Sequence, residues 1–142
     1  MSVDRYTLDT NILVYSVDLD AKQKRVKAIE VIENMIEQDC ILPMQALSEF
    51  YSVATRKQKM PHEDARELVN DWMTLFPVVS AEPSTLKRAM LAVEQHKMSF
   101  WNSLMLETSV QAGVTKFLSE DLQHGRVWKT ATILNPFLST ET

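Results

Sequence analysis

The 142-residue chain contains only two glycines (Gly113, Gly125), one cysteine (Cys40) and three histidines (His62, His96, His124). Each scarcity excludes a class of chemistry. A dinucleotide-binding loop needs three glycines close together, and a phosphate-binding P-loop needs two at fixed spacing before a lysine. Neither can be built here. The histidines are too far apart for the zinc-protease pattern of two histidines on adjacent helical turns. A lone cysteine excludes an internal disulfide and any multi-cysteine zinc or iron–sulfur site within one chain. Cys40 stands in the apolar run Cys40-Ile41-Leu42 and reads as a small buried core residue. No apolar run approaches the roughly 18 residues needed to span a membrane, and no basic region followed by a long apolar stretch opens the chain. A cytoplasmic protein with no membrane association is therefore expected. The net charge of −4 argues against a protein that coats nucleic-acid phosphates. It does not argue against an enzyme that grips metal ions with carboxylates.

With 45% hydrophobic and 24% charged residues, the composition is that of an ordinary globular protein. No repeat or linker divides the chain, so one domain over residues 1–142 is expected. Short apolar segments at 3–8, 40–42, 76–79, 116–118 and 132–134 read as strands. Between them the pattern is helical. A helix over 22–38 is expected to turn Val26, Ile29, Ile32 and Ile36 inward. A second, opened by Pro43, carries Leu47, Phe50 and Ala54. A third starts near Pro61, with Glu63 and Asp64 in its first turn and Leu68, Val69, Trp72 and Leu75 on its apolar side. Pro83 opens a fourth, with Leu86, Ala89, Met90 and Val93. Ser99 is the N-cap of a fifth over 100–112, stopped by Gly113. No hairpin signal joins any two strands. The alternation predicts an α/β fold of three layers: a central parallel sheet of four to five strands with helices on both faces.

In such sheets functional residues gather beyond the carboxyl ends of the strands. Asp9 follows the first strand directly, and Asp121 follows the 116–118 strand by a few residues. Glu49 lies about two turns into the helix after the 40–42 strand, and Asn102 in the first turn of the helix after Ser99. All four can share one end of the sheet. Clustered carboxylates repel one another and favour a cation. Hard oxygen ligands suit magnesium or manganese, and such an ion assists phosphodiester hydrolysis. From spacing alone a purely structural reading stands beside this one: Asp9 a helix cap, Glu49 an exposed helical charge, Asp121 a turn residue.

Four segments carry a resemblance that separates the two readings. They are Leu8-Asp9-Thr10-Asn11-Ile12-Leu13-Val14-Tyr15; Leu47-Ser48-Glu49-Phe50-Tyr51 followed by Val53-Ala54-Thr55-Arg56-Lys57; Met98-Ser99-Phe100-Trp101-Asn102-Ser103-Leu104; and Leu118-Ser119-Glu120-Asp121-Leu122-Gln123-His124-Gly125. Asn135-Pro136-Phe137 also fits. In order and spacing they resemble PIN domains, and most closely VapC-type toxins of bacterial toxin–antitoxin pairs. The resemblance implies a PIN-like sheet with the first strand central. It implies a magnesium- or manganese-dependent endoribonuclease, dimeric and held inactive by a cognate antitoxin. By position, Asp9, Glu49 and Asp121 would bind the metal, with Ser119 supporting the site and Thr10 and Asn11 orienting the first aspartate or capping the first helix.

Asn102 departs from the pattern, which has aspartate there. Asparagine keeps the shape but loses a charge, and its amide nitrogen cannot ligate a metal. Three readings stand: a natural member of weaker activity, a degenerate member that binds without turnover, or a substitution introduced to silence a toxic enzyme. Arg56, Lys57 and Lys59 can contact RNA phosphates or form a solvated helix end. Phe100 and Trp101 can stack on bases, although core or dimer packing is the plainer expectation, and His124 reads as an exposed loop residue. A phosphotransferase using Asp9 as nucleophile is disfavoured, because Asp9-Thr10-Asn11 lacks the acidic partner such sites need.

Overall fold

The computed structural model describes residues 3–138. Its elements run β1 (Tyr6–Leu8), α1 (Thr10–Tyr15), a 3-10 turn (Leu19–Ala21), α2 (Gln23–Met35), β2 (Cys40–Pro43), α3 (Met44–Arg56), α4 (His62–Leu75), β3 (Val78–Val79), α5 (Pro83–His96), α6 (Phe100–Gln111), β4 (Lys116–Leu118), β5 (Val127–Trp128) and β6 (Ala131–Leu134). The strands form one sheet in the order β3-β2-β1-β4-β6-β5. The first five in that order run parallel and β1 lies between β2 and β4, as expected. Helices cover both faces of the sheet.

Parallel strands covered on both faces must be apolar throughout, not alternating. Cys40–Pro43 is buried at every position, and Leu8, Leu42, Phe117 and Ile133 are fully enclosed. Each such side chain contributes about 1.5–3 kcal/mol of burial free energy. Leu47, Phe50 and Ala54 of α3 point into this core as expected, and Phe50 meets Trp72 of α4 edge-on at 4.8 Å. Ser99 caps α6, its Oγ accepting the Asn102 N–H at 3.2 Å. Gly113 ends that helix at φ +86°, a conformation open to glycine without steric cost.

Three expectations fail. In α5 the buried residues are Thr85, Ala89 and Ala92, while Leu86 and Met90 of the expected apolar set are 41% and 45% exposed. In α2 the inward face is Ala28, Val31 and Ile32; Val26 is 65% exposed and Ile36 is 42% exposed, lying beyond the last helical residue. The helix stops at Met35, so Ile36 drops out of the inward stripe. The third is the absence of hairpins. β5 and β6 form one, Val127 pairing with Thr132 and Trp128 with Ala131. Its two-residue turn places Lys129 at φ +54°. Such turns ordinarily announce themselves with glycine or asparagine, and here a lysine adopts the left-handed conformation instead.

Candidate active site

Parallel pairing sets the carboxyl ends of β1 and β4 side by side, and the Asp9 N–H donates to Leu118 O at 2.9 Å. Asp9 and Ser119 are the first residues beyond those two strands. Asp9 is both the last extended residue and the N-cap of α1, its Oδ1 accepting the Thr10 N–H at 2.7 Å. The capping reading and the functional reading of Asp9 therefore coexist. Its other oxygen accepts the Ser119 hydroxyl at 2.7 Å, and Ser119 Oγ in turn accepts the Asp121 N–H at 3.1 Å. Ser119, fully buried, thus fixes the relation between the two aspartates.

The remaining carboxylates are tied to the same turn. Thr10 Oγ1 donates to Glu49 Oε1 at 2.6 Å. Asn11 Nδ2 donates to both oxygens of Asp121, at 2.8 and 2.9 Å. Glu120, the neighbour of Asp121, turns away: it accepts the Tyr15 hydroxyl at 2.6 Å and pairs with Lys24. Only one acid of that adjacent pair serves the cleft. Asp9, Thr10, Asn11, Glu49, Asn102 and Asp121 all line a cleft of about 340 Å³. The structure therefore brings together the whole acidic set and the Asn102 position. Arg56 lies on the wall of the same cleft. Lys57 does not line it, and Lys59 is paired with Asp18 at 2.8 Å. His124 is exposed and accepts the Asn135 N–H at 2.9 Å, stapling its loop to the segment after β6.

Asp9 is 5% exposed, and burial pushes its pKa from 3.8 up to about 6. The nearby charges of Asp121 and Glu49 push in the same direction, against the hydrogen bonds from Ser119 and Thr10. A buried carboxylate facing two like charges is an electrostatic demand for a cation. Among the described residues, however, no three His, Cys, Asp or Glu side chains converge closely enough to form a ready metal cage. Thr10, Asn11 and Ser119 hold the carboxylates. The donor set still suits magnesium, which keeps several of its waters and is typically bound through one or two carboxylates, without a closed protein cage.

Sequence reasoning missed Gln45. Its Nε2 donates to Glu49 Oε2 and to Trp101 O, each at 3.1 Å, bridging α3 to α6 across the cleft. Two acceptors on the nitrogen fix the amide orientation. Its Oε1 is then left buried without a partner among the described residues, a cost of about 1–3 kcal/mol for holding the clamp. Its position one helical turn before Glu49 was the available signal.

A family model described as the PIN domain matches residues 6–129, a span that contains the entire acidic set. Comparison with curated proteins finds no match. Solved structures do match in fold. A toxin–antitoxin complex from Klebsiella pneumoniae aligns with TM-score 0.67 at 14% identity, over 93% of this chain and 98% of that one. DNA-bound VapBC from Salmonella typhimurium aligns with TM-score 0.65 at 12% identity, over 92% and 96%. The sarcin–ricin loop-cleaving toxin VapC20 of Mycobacterium tuberculosis aligns with TM-score 0.64 at 11% identity, over 79% and 86%. With the family model spanning most of its length, this chain belongs to the PIN domain family.

Proposed function

We propose that residues 1–142 form a single PIN domain acting in the cytoplasm as a magnesium- or manganese-dependent endoribonuclease, the toxin of a toxin–antitoxin pair. The observation that carries this reading is Asp9: a buried carboxylate with a raised pKa, facing Glu49 and Asp121 in a cleft open to a substrate. Asp9, Glu49 and Asp121 would hold the ion, with Asn102 beside them. A divalent ion there supplies a water of lowered pKa and charge stabilisation for a phosphoryl oxygen. The protein's own part is positional. Ser119 orients Asp9, Thr10 and Gln45 hold the two oxygens of Glu49, and Asn11 holds Asp121. Arg56 is the cation available to an RNA phosphate; Lys57, outside the cleft, contributes at longer range.

Asn102 favours a second reading, a PIN domain that binds RNA or an antitoxin without turnover. An RNA cleavage assay with magnesium or manganese, on this chain and on Asn102→Asp, separates the two. Cleavage by this chain supports the enzyme. Cleavage by Asn102→Asp alone supports the degenerate member, and cleavage by neither, with intact folds, defeats the nuclease reading.

For partners, the toxin–antitoxin complexes of similar fold support a cognate antitoxin. Apolar grooves on either side of α4, one lined by Met44, Tyr51 and Met73 and the other by Val17, Ile36 and Leu75, offer it a surface. A homodimer is supported by the exposed Leu86, Met90 and Leu91 of α5. Trp72 and Phe76 give it no support: both are buried in the core.

A further inference from the structure

We propose that the rim of the acidic cleft is a nucleobase subsite, in which one unpaired base of the substrate stacks on Trp101. The inference rests on the RNA-cleaving reading above and says where that substrate is gripped. The chain has three tryptophans. Trp72 and Trp128 are enclosed at 4% and 5% exposure, whereas Trp101 is 60% exposed and lines the cleft beside Asn102. Of the plainer sequence expectation for Trp101, core or dimer packing, the core half is thereby set aside.

The backbone and neighbours of this indole are fixed even though its face is open. Phe100 meets it edge-on, 4.9 Å between centroids at 69°. The Trp101 carbonyl accepts from Gln45, whose same nitrogen donates to Glu49. One side chain therefore ties the backbone that carries the platform to a site carboxylate. An aromatic face held in this way, open to solvent at a cleft mouth, is suited to a flat partner.

The charge pattern says what that partner is. Asp9, Glu49 and Asp121 repel a polyanion, and among the described residues Arg56 is the one cation that lines the cleft. Without the ion, attraction to the backbone is weak, and contact with a base supplies affinity that the cleft's charges do not. At about 340 Å³ the cleft is near the lower end of ligand-pocket sizes and suits one splayed nucleotide, not a duplex. Stacking needs an unpaired base and tolerates any of the four, since every base has a π-face.

The test uses the full chain with a chelator present, so that binding is read without cleavage. Because Trp101 is the exposed tryptophan of the three, the iodide-accessible part of the emission reports on its surface. Short single-stranded oligoadenylate should quench that emission and protect it from iodide. The abasic ribose-phosphate strand and a blunt RNA duplex of the same length should do neither. Trp101→Ala should weaken binding of the single strand about ten-fold, the ordinary effect of removing one stacking platform. Trp101→Phe should recover part of it. Equal binding of abasic and base-bearing strands, or equal affinity in Trp101→Ala, overturns the subsite. So does a change of molar mass in Trp101→Ala with RNA affinity unchanged, which would assign the indole to a second copy of the chain. A separate cleavage assay in magnesium keeps the two proposals apart. Base-dependent quenching without cleavage retains the subsite and defeats the nuclease. Cleavage with equal affinity in both proteins retains the nuclease and defeats the subsite.

Discussion

Asp9 holds its proton more tightly in the folded chain than in the unfolded one, with a pKa near 6 against 3.8. Its contribution to stability is therefore full below pH 4 and is lost as pH rises through 6. The shift corresponds to about 3 kcal/mol. In chelator, urea unfolding should show the metal-free protein losing stability over that window. Asp9→Asn should remove this slope and be more stable than the native chain at pH 7. Asn102→Asp should act in the opposite sense, adding a charge to a cleft that already repels itself. It should lower metal-free stability slightly and tighten magnesium or manganese binding about ten-fold, as read by calorimetric titration. Equal affinities would remove position 102 from the site. Cys40 behaves simply: burial, with Asp39 nearby, pushes its thiol up to about 12. A thiol reagent should leave the native protein unmodified and react only on unfolding.

At the scale of elements, the acidic ends of β1 and β4 and the two helices facing them were legible in the sequence. Their apolar runs are short, and a functional acid follows directly after the first and within three residues of the second. What escaped were interactions between elements distant in sequence. Glu107 sits mid-helix in α6 and is 1% exposed. It accepts Trp128 Nε1 at 2.9 Å and Lys129 Nζ at 2.8 Å, with Arg88 Nε at 3.4 Å. One carboxylate thus joins α5, α6 and the hairpin. The one acid of α6 carries no periodic signal, and neither does a hairpin turn built on lysine. The faces of α2 and α5 were misjudged for a related reason. Alanines form part of the buried contact, Ala28 in one and Ala92, beside the expected Ala89, in the other, while Val26, Leu86 and Met90 stay exposed. Close helix packing favours small side chains over large ones at the contact. Glu107→Ala should cost about 3 kcal/mol, since it strands a buried indole N–H and unpairs two cations. Glu107→Gln, which keeps an acceptor, should cost about half as much. Urea midpoints of the two variants check the order.

For the molecule as a whole, the α5 surface with Leu86, Met90 and Leu91 predicts a dimer by light scattering, and Met90→Glu should shift it toward monomer. A monomer at high concentration would count against the dimer and leave the cleft untouched. The sheet itself has a different consequence. It terminates on both sides in strands of two residues, Val78–Val79 and Val127–Trp128. The former follows Pro77, which has no N–H to donate, and the latter runs antiparallel into a tight turn. An open strand edge invites another chain to add to it, and brevity with proline is how natural sheets refuse. The chain can therefore offer apolar helical grooves to a partner while its backbone gives amyloid-type growth little to template on. Association should proceed through side chains, and concentrated samples should fail to seed fibrils even when the α5 surface is left bare.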